Sequence, residues 1–308
     1  MADGLRLMSD VRCKTMKKVI LFGLAVMMAA CEKPIMGDAY DVDEGDANVV
    51  LRFAPYQQQG FTRAVTALTD QCSRLSVAVF DEDDAKVGSV KNQKAGDSGF
   101  GTVSLSLQEG VYTIVAIAHN GEGNATITSP TKVTFPSNKM TDTFCYCGEL
   151  EVTGDMISQE LQMQRVVAMM RLTLTDEQIP DNVARLKFYY TGGSSTLNPR
   201  TGYGCVNSKQ TEYRATVVGG EAVKVYEIYT APHEQSDVLK LTITAQDAGN
   251  EDIRVFDAME NIPVTRNKIT TWEGSLFDGS GTGGGATSEG GIGLTLDTQW
   301  DGTINYTW

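Results

Sequence analysis

Only two of the 308 residues are histidines, His119 and His233, and that scarcity removes most acid–base and metal chemistry from consideration. No C-x-x-C pair occurs either, so a zinc site would lack both of its usual ligand types. His119 closes an alternating segment beside the Asn120-Gly121 turn, and His233 follows Pro232 in a loop. Neither has a nucleophile or a second carboxylate arranged around it in sequence. The acidic run Asp81-Glu82-Asp83-Asp84 lacks the spacing of a calcium loop and reads as a solvated hairpin tip. Basic residues are outnumbered, 26 to 39, giving a net charge of −13 and no basic cluster able to displace counterions from nucleic acid. After Ala30 no apolar run approaches the roughly 18 residues of a membrane-spanning helix. Helical periodicity is also scarce, with Met156 to Gln164 the best single candidate. An enzyme, a metalloprotein and a nucleic-acid binder are therefore not expected, and no cofactor is implied.

What is present begins with a leader. Met16-Lys17-Lys18 precedes the apolar run Val19 to Ala30, which ends in Met28-Ala29-Ala30-Cys31. A charged start, a short apolar stretch and small residues before a cysteine describe a lipoprotein signal peptide over residues 1–30, with initiation at Met16 and Cys31 as the lipidated residue. Two or three acyl chains, each methylene contributing about 0.8 kcal/mol, would hold the mature chain to a membrane. Residues 31–47 are rich in Asp and Glu and read as a solvated acidic tether.

From Asn48 onward the sequence is written in period two. Val49, Leu51 and Phe53 alternate with Val50, Arg52 and Ala54, and Leu75, Val77 and Val79 alternate with Ser76 and Ala78. Residues 102–119 read as a hairpin about Glu109-Gly110. Further strands are expected at 131–135, 142–152, 160–175, 184–191, 213–218, 222–230, 237–246, 252–259 and 268–277, with turn signals between them. Many short strands argue for an all-β chain of antiparallel sandwiches. Length argues for two of them, 48–160 and 161–278. Export permits disulfides, and Cys145 and Cys147, two apart on one strand, share a face and cannot easily bond each other, so the cysteines read either as buried thiols or as one bridge between Cys72 and one of that pair.

Residues 279–293 hold eight glycines and read as a flexible linker. Beyond it lies a patterned arm, 294–308, in which Leu294, Leu296 and Trp300 alternate, Asp301-Gly302 turns the chain, and Ile304, Tyr306 and Trp308 alternate again.

Several of these segments resemble the FimB/Mfa-type fimbrial subunit family, the anchor-like relatives of the fimbrillins that build type V pili. The resemblance is carried by Phe61-Thr62-Arg63-Ala64, the stretch Cys72 to Phe80, Gly99-Phe100-Gly101, Gly110-Val111-Tyr112, Ile117-Ala118-His119-Asn120 and Lys139 to Phe144. It continues through Arg165 to Met169, Ile179-Pro180 and Pro263 to Lys268. It implies two tandem transthyretin-like domains, export as a lipoprotein of the outer membrane, and a place in the fimbrium at the cell surface. Its implied partners are other fimbrial subunits joined by strand exchange, the outer membrane through the lipid, and a host or bacterial surface receptor, with a role in cell adhesion. It also implies cleavage after a basic residue near the amino end, for which Arg63 is the candidate, and makes the arm the candidate donor strand. The alternative is a surface lipoprotein that binds carbohydrate, with Tyr203, Tyr213 and Trp272 as candidate platforms.

Overall fold

The computed structural model describes residues 47–55, 68–278, Trp300 and 303–305. Among these the chain is all-β, apart from one helical turn, α1 (Leu68–Gln71), and a 3-10 turn at Pro136–Asn138. In chain order the first strands are β1 (Val49–Pro55), β2 (Arg74–Phe80), β3 (Lys86–Lys94), β4 (Thr102–Leu105), β5 (Gly110–His119), β6 (Thr126–Ser129), β7 (Lys132–Thr134), β8 (Thr143–Val152) and β9 (Ile157–Arg165). They continue as β10 (Ala168–Leu174), β11 (Arg185–Thr191), β12 (Thr196–Asn198), β13 (Tyr203–Gly204), β14 (Lys209–Ala215), β15 (Val217–Val218) and β16 (Glu221–Ala222). The last are β17 (Val225–Thr230), β18 (Val238–Gln246), β19 (Asp252–Val255), β20 (Met259–Pro263), β21 (Ile269–Gly274) and β22 (Thr303–Asn305).

The first half of the chain forms a seven-stranded sheet in the order β3-β2-β5-β8-β9-β1-β4. Its two parts are joined at β8 and β9 through only Phe144↔Arg165 and Cys145↔Gln164. There the sheet folds over one core, in which Leu51 and Phe53 of β1 and Leu161 and Met163 of β9 meet Leu75 and Val77 of β2 and Ile114 of β5. In the second half, β17-β10-β21-β22 and β14-β11-β18-β19 pack over Leu172, Phe188, Tyr226, Leu241, Ile243 and Trp272. Strands with one buried face carry the period-two pattern. In β2 and β5 both faces are buried, so they read as nearly unbroken apolar runs.

A third apolar cluster ties the halves together. Phe80, Ile117, Ile127, Phe135 and Met140 pack with Val166, Val167, Leu197 and Ala231. The small sheet β13-β12-β7-β6 draws strands from both halves, with Leu197 of β12 opposite Val133 of β7. Ion pairs from Arg200 to Asp84 and from Lys139 to Glu212 flank it.

Several expectations are corrected. Residues 102–119 are not a hairpin, since β4 pairs with β1 while β5 pairs with β2 and β8. The reason lies at Asn48, whose side chain accepts from Leu107 N–H at 2.9 Å and donates to Leu107 C=O at 2.8 Å. That clasp keeps the chain with the β1 layer until it crosses to the other. The strand expected over 160–175 is two strands, β9 and β10, which part at Val166-Val167 to enter different sheets. The segment Met156 to Gln164 lies mostly in β9 and is extended, not helical. Nor is the pairing wholly antiparallel. β1 runs parallel to β9 over seven residue pairs, and β10 parallel to β21 over six. Each half thus places its first strand beside a late one, which a short hairpin loop cannot do.

Candidate functional site

Two features distinguish this molecule from an ordinary stack of sheets, and both concern added strands. The first is β1. Its neighbours are β9 on one side and β4 on the other, and Val49, Leu51 and Phe53 are buried along its inner face. Without it, β9 would lose its parallel partner from Ile157 to Met163. A row of backbone donors and acceptors would then lie open above an apolar floor.

The second is β22. Thr303, Ile304 and Asn305 run parallel to Ile269, Thr270 and Thr271 at the edge of the second-half sheet. Just before this strand stands Trp300, a half-buried aromatic knob whose ring centre lies 4.1 Å from the Arg165 guanidinium and 6.5 Å from the ring of Tyr229.

Arg165 is the hub of this joint. It ends β9 with its side chain buried, donating through Nε and Nη2 to the two carboxylate oxygens of Asp142 at 2.6 and 2.9 Å. Nη1 donates to Asn267 Oδ1 at 3.2 Å. The guanidinium also lies 4.6 Å from the Phe144 ring. A desolvated cation–π contact contributes up to about 2 kcal/mol, so the two rings offset part of the cost of taking Arg165 out of water. Asn267 adopts a positive φ of 58°, a conformation that asparagine tolerates well, and its N–H donates to Val167 C=O.

Beside Arg165 opens a cleft of about 740 Å³, lined by the ends of β8 and β9, Tyr203 and the loops 232–237 and 264–268. Arg266 stacks 4.8 Å over the Tyr203 ring. His233 Nδ1 meets Gly204 C=O at 3.1 Å, while its buried Nε2 has no hydrogen-bond partner among the described residues.

The residues singled out from sequence distribute as follows. Cys31, Arg63, Leu294, Leu296, Tyr306 and Trp308 lie outside the described residues. Ile304 is in β22 and Trp300 is at the Arg165 joint. Cys72, Cys145, Cys147 and Cys205 are free thiols. The bridge from Cys72 is not formed, because Cys72 packs in the first-half core while Cys145 and Cys147 face the cluster on the other side of the sheet. Burial raises the thiol pKa of Cys72, Cys145 and Cys147. Trp272 is in the second-half core, Tyr203 is in the cleft, and Tyr213 stands half-exposed on β14 with Arg185 over its ring. Among the described residues no group of three or more His, Cys, Asp or Glu side chains is placed to hold a metal. Sequence reasoning does not bring Arg165, Asp142 and Asn267 together as a unit. The one signal is an arginine at an inward position of an alternating strand.

The family model of the fimbrillin-A associated anchor proteins Mfa1 and Mfa2 matches residues 41–274. The chain belongs to that family. Among solved structures this family member is similar to the fimbrial anchor protein Mfa2 from Porphyromonas gingivalis, at 15% identity, covering 68% of this chain and 81% of that one, with a TM-score of 0.36. It is also similar to a fimbrial assembly protein from Parabacteroides distasonis ATCC 8503, at 12% identity over 74% of this chain and 90% of that one, with a TM-score of 0.37. No curated protein matches the chain.

Proposed function

We propose that this anchor-family member is a structural component of a fimbrium at the cell surface, fastened to the outer membrane through lipid on Cys31 and joined to other subunits by strand donation. Its two halves, which part at Val166-Val167 at the end of β9 rather than at 160/161, are two tandem transthyretin-like sandwiches, and the Gly-rich stretch 279–293 links the second to the arm. The observation that carries this reading is β22, three residues from beyond the linker that add to the edge of β21. A segment able to complete its own sheet by backbone pairing can complete a neighbour's by the same bonds. The position of β1 supports the complementary step. Cleavage after Arg63 would release a central strand and expose the β9 edge as an acceptor, whereas an uncut subunit would keep β1 and serve as the anchored end.

Deleting residues 294–308 tests this reading. The truncated chain should keep the β-sheet circular dichroism of the full chain and lose its association with partner subunits in pull-down. Full association without the arm would rule out its donor role.

A further inference from the structure

The cleft beside Arg165 carries an inference independent of strand donation. Arg266 and Lys268 come from one of its loops, Glu234 and Asp237 from another. Neither Arg266 nor Lys268 forms an ion pair with a described residue. Arg266 is nevertheless held in place, stacked on Tyr203 and donating through Nη1 to Thr201 C=O at 3.3 Å. A planar guanidinium fixed before a ligand arrives loses little freedom on meeting a carboxylate.

The mixture of charges selects the class of ligand. A simple anion would be opposed by Glu234 and Asp237. A peptide adding as a strand along 264–268 would meet N–H groups of Val264, Asn267 and Lys268 that already donate to Asp237, Val167 and Thr265. What the cleft offers is side-chain donors and acceptors together, in a volume typical of small-ligand sites. We propose that this cleft binds an acidic saccharide, its carboxylate met by Arg266 and Lys268 and its hydroxyls by Asp237 and Glu234.

The test is calorimetric titration of the full mature chain with tetragalacturonate, the neutral maltotetraose and tetraglutamate. Tetragalacturonate should bind, maltotetraose at least about tenfold more weakly, and Lys268→Gln and Arg266→Gln should each weaken tetragalacturonate binding by about tenfold or more. Lys268 makes no side-chain hydrogen bond among the described residues, so an unchanged melting temperature for Lys268→Gln would show that the loss lies in the site. Absence of tetragalacturonate binding, equal binding by the variants, or equally tight binding of tetraglutamate would overturn the proposal. Subunit association, measured on the same samples, reports separately on strand donation.

Discussion

At the scale of the residue, two buried polar side chains, Asp176 and His119, each make stability depend on pH. Asp176 accepts from Ser275 Oγ at 2.6 Å and from the backbone N–H groups of Leu276, Phe277 and Asp278, tying down the end of the second half just before the Gly-rich stretch. Burial alone would raise its pKa, but these donors outweigh that and hold it below the ordinary carboxylate value. Its contribution is therefore present above that ordinary value and is lost as pH falls through the lower, folded one. Asp176→Asn turns an amide toward N–H groups and should destabilise the chain by about 1–3 kcal/mol in urea titration at neutral pH. His119 works in the opposite chemical sense. Burial, and then the Arg74 charge, lower its pKa from 6.5 to about 4. Above pH 6.5 the ring is neutral in both states; as pH falls toward 4 the unfolded chain binds a proton that the folded one refuses, and stability is lost. His119→Gln should therefore show a flatter stability profile between pH 6.5 and 4 than the parent chain, in denaturant titrations across that window.

At the scale of the element, β1 and β22 differ in how firmly they are held. β1 is buried along one face and paired on both edges, and Leu51→Ala should cost about 2–5 kcal/mol by thermal or chemical unfolding. β22 has three paired residues on a single edge. The alternation of Leu75, Val77 and Val79, or of Val49, Leu51 and Phe53, makes the inward faces legible without coordinates. The polar edge strand β3, whose Lys86, Lys91 and Lys94 guard an exposed border, leaves no apolar signature to read. Pairing order is the harder part. Nothing local to Val49–Pro55 announces a parallel partner a hundred residues away, and nothing in Glu109-Gly110 reveals that the Asn48 clasp sends β4 and β5 to different layers. The Arg165 joint is hidden for the same reason, since Asp142, Asn267 and Trp300 meet it only after three separate segments have folded.

At the scale of the whole molecule, the described halves are joined by a common apolar cluster and a shared sheet. Tension applied through a fibre would then pass through packed β-structure from β1 to β21. The proposed exchange of strands between subunits is tested most directly with surface protein solubilised in detergent, on a gel run with and without boiling. Strand exchange predicts a ladder in the unboiled sample that collapses to one band on boiling and is insensitive to reducing agent. A single monomer band in both lanes would contradict it.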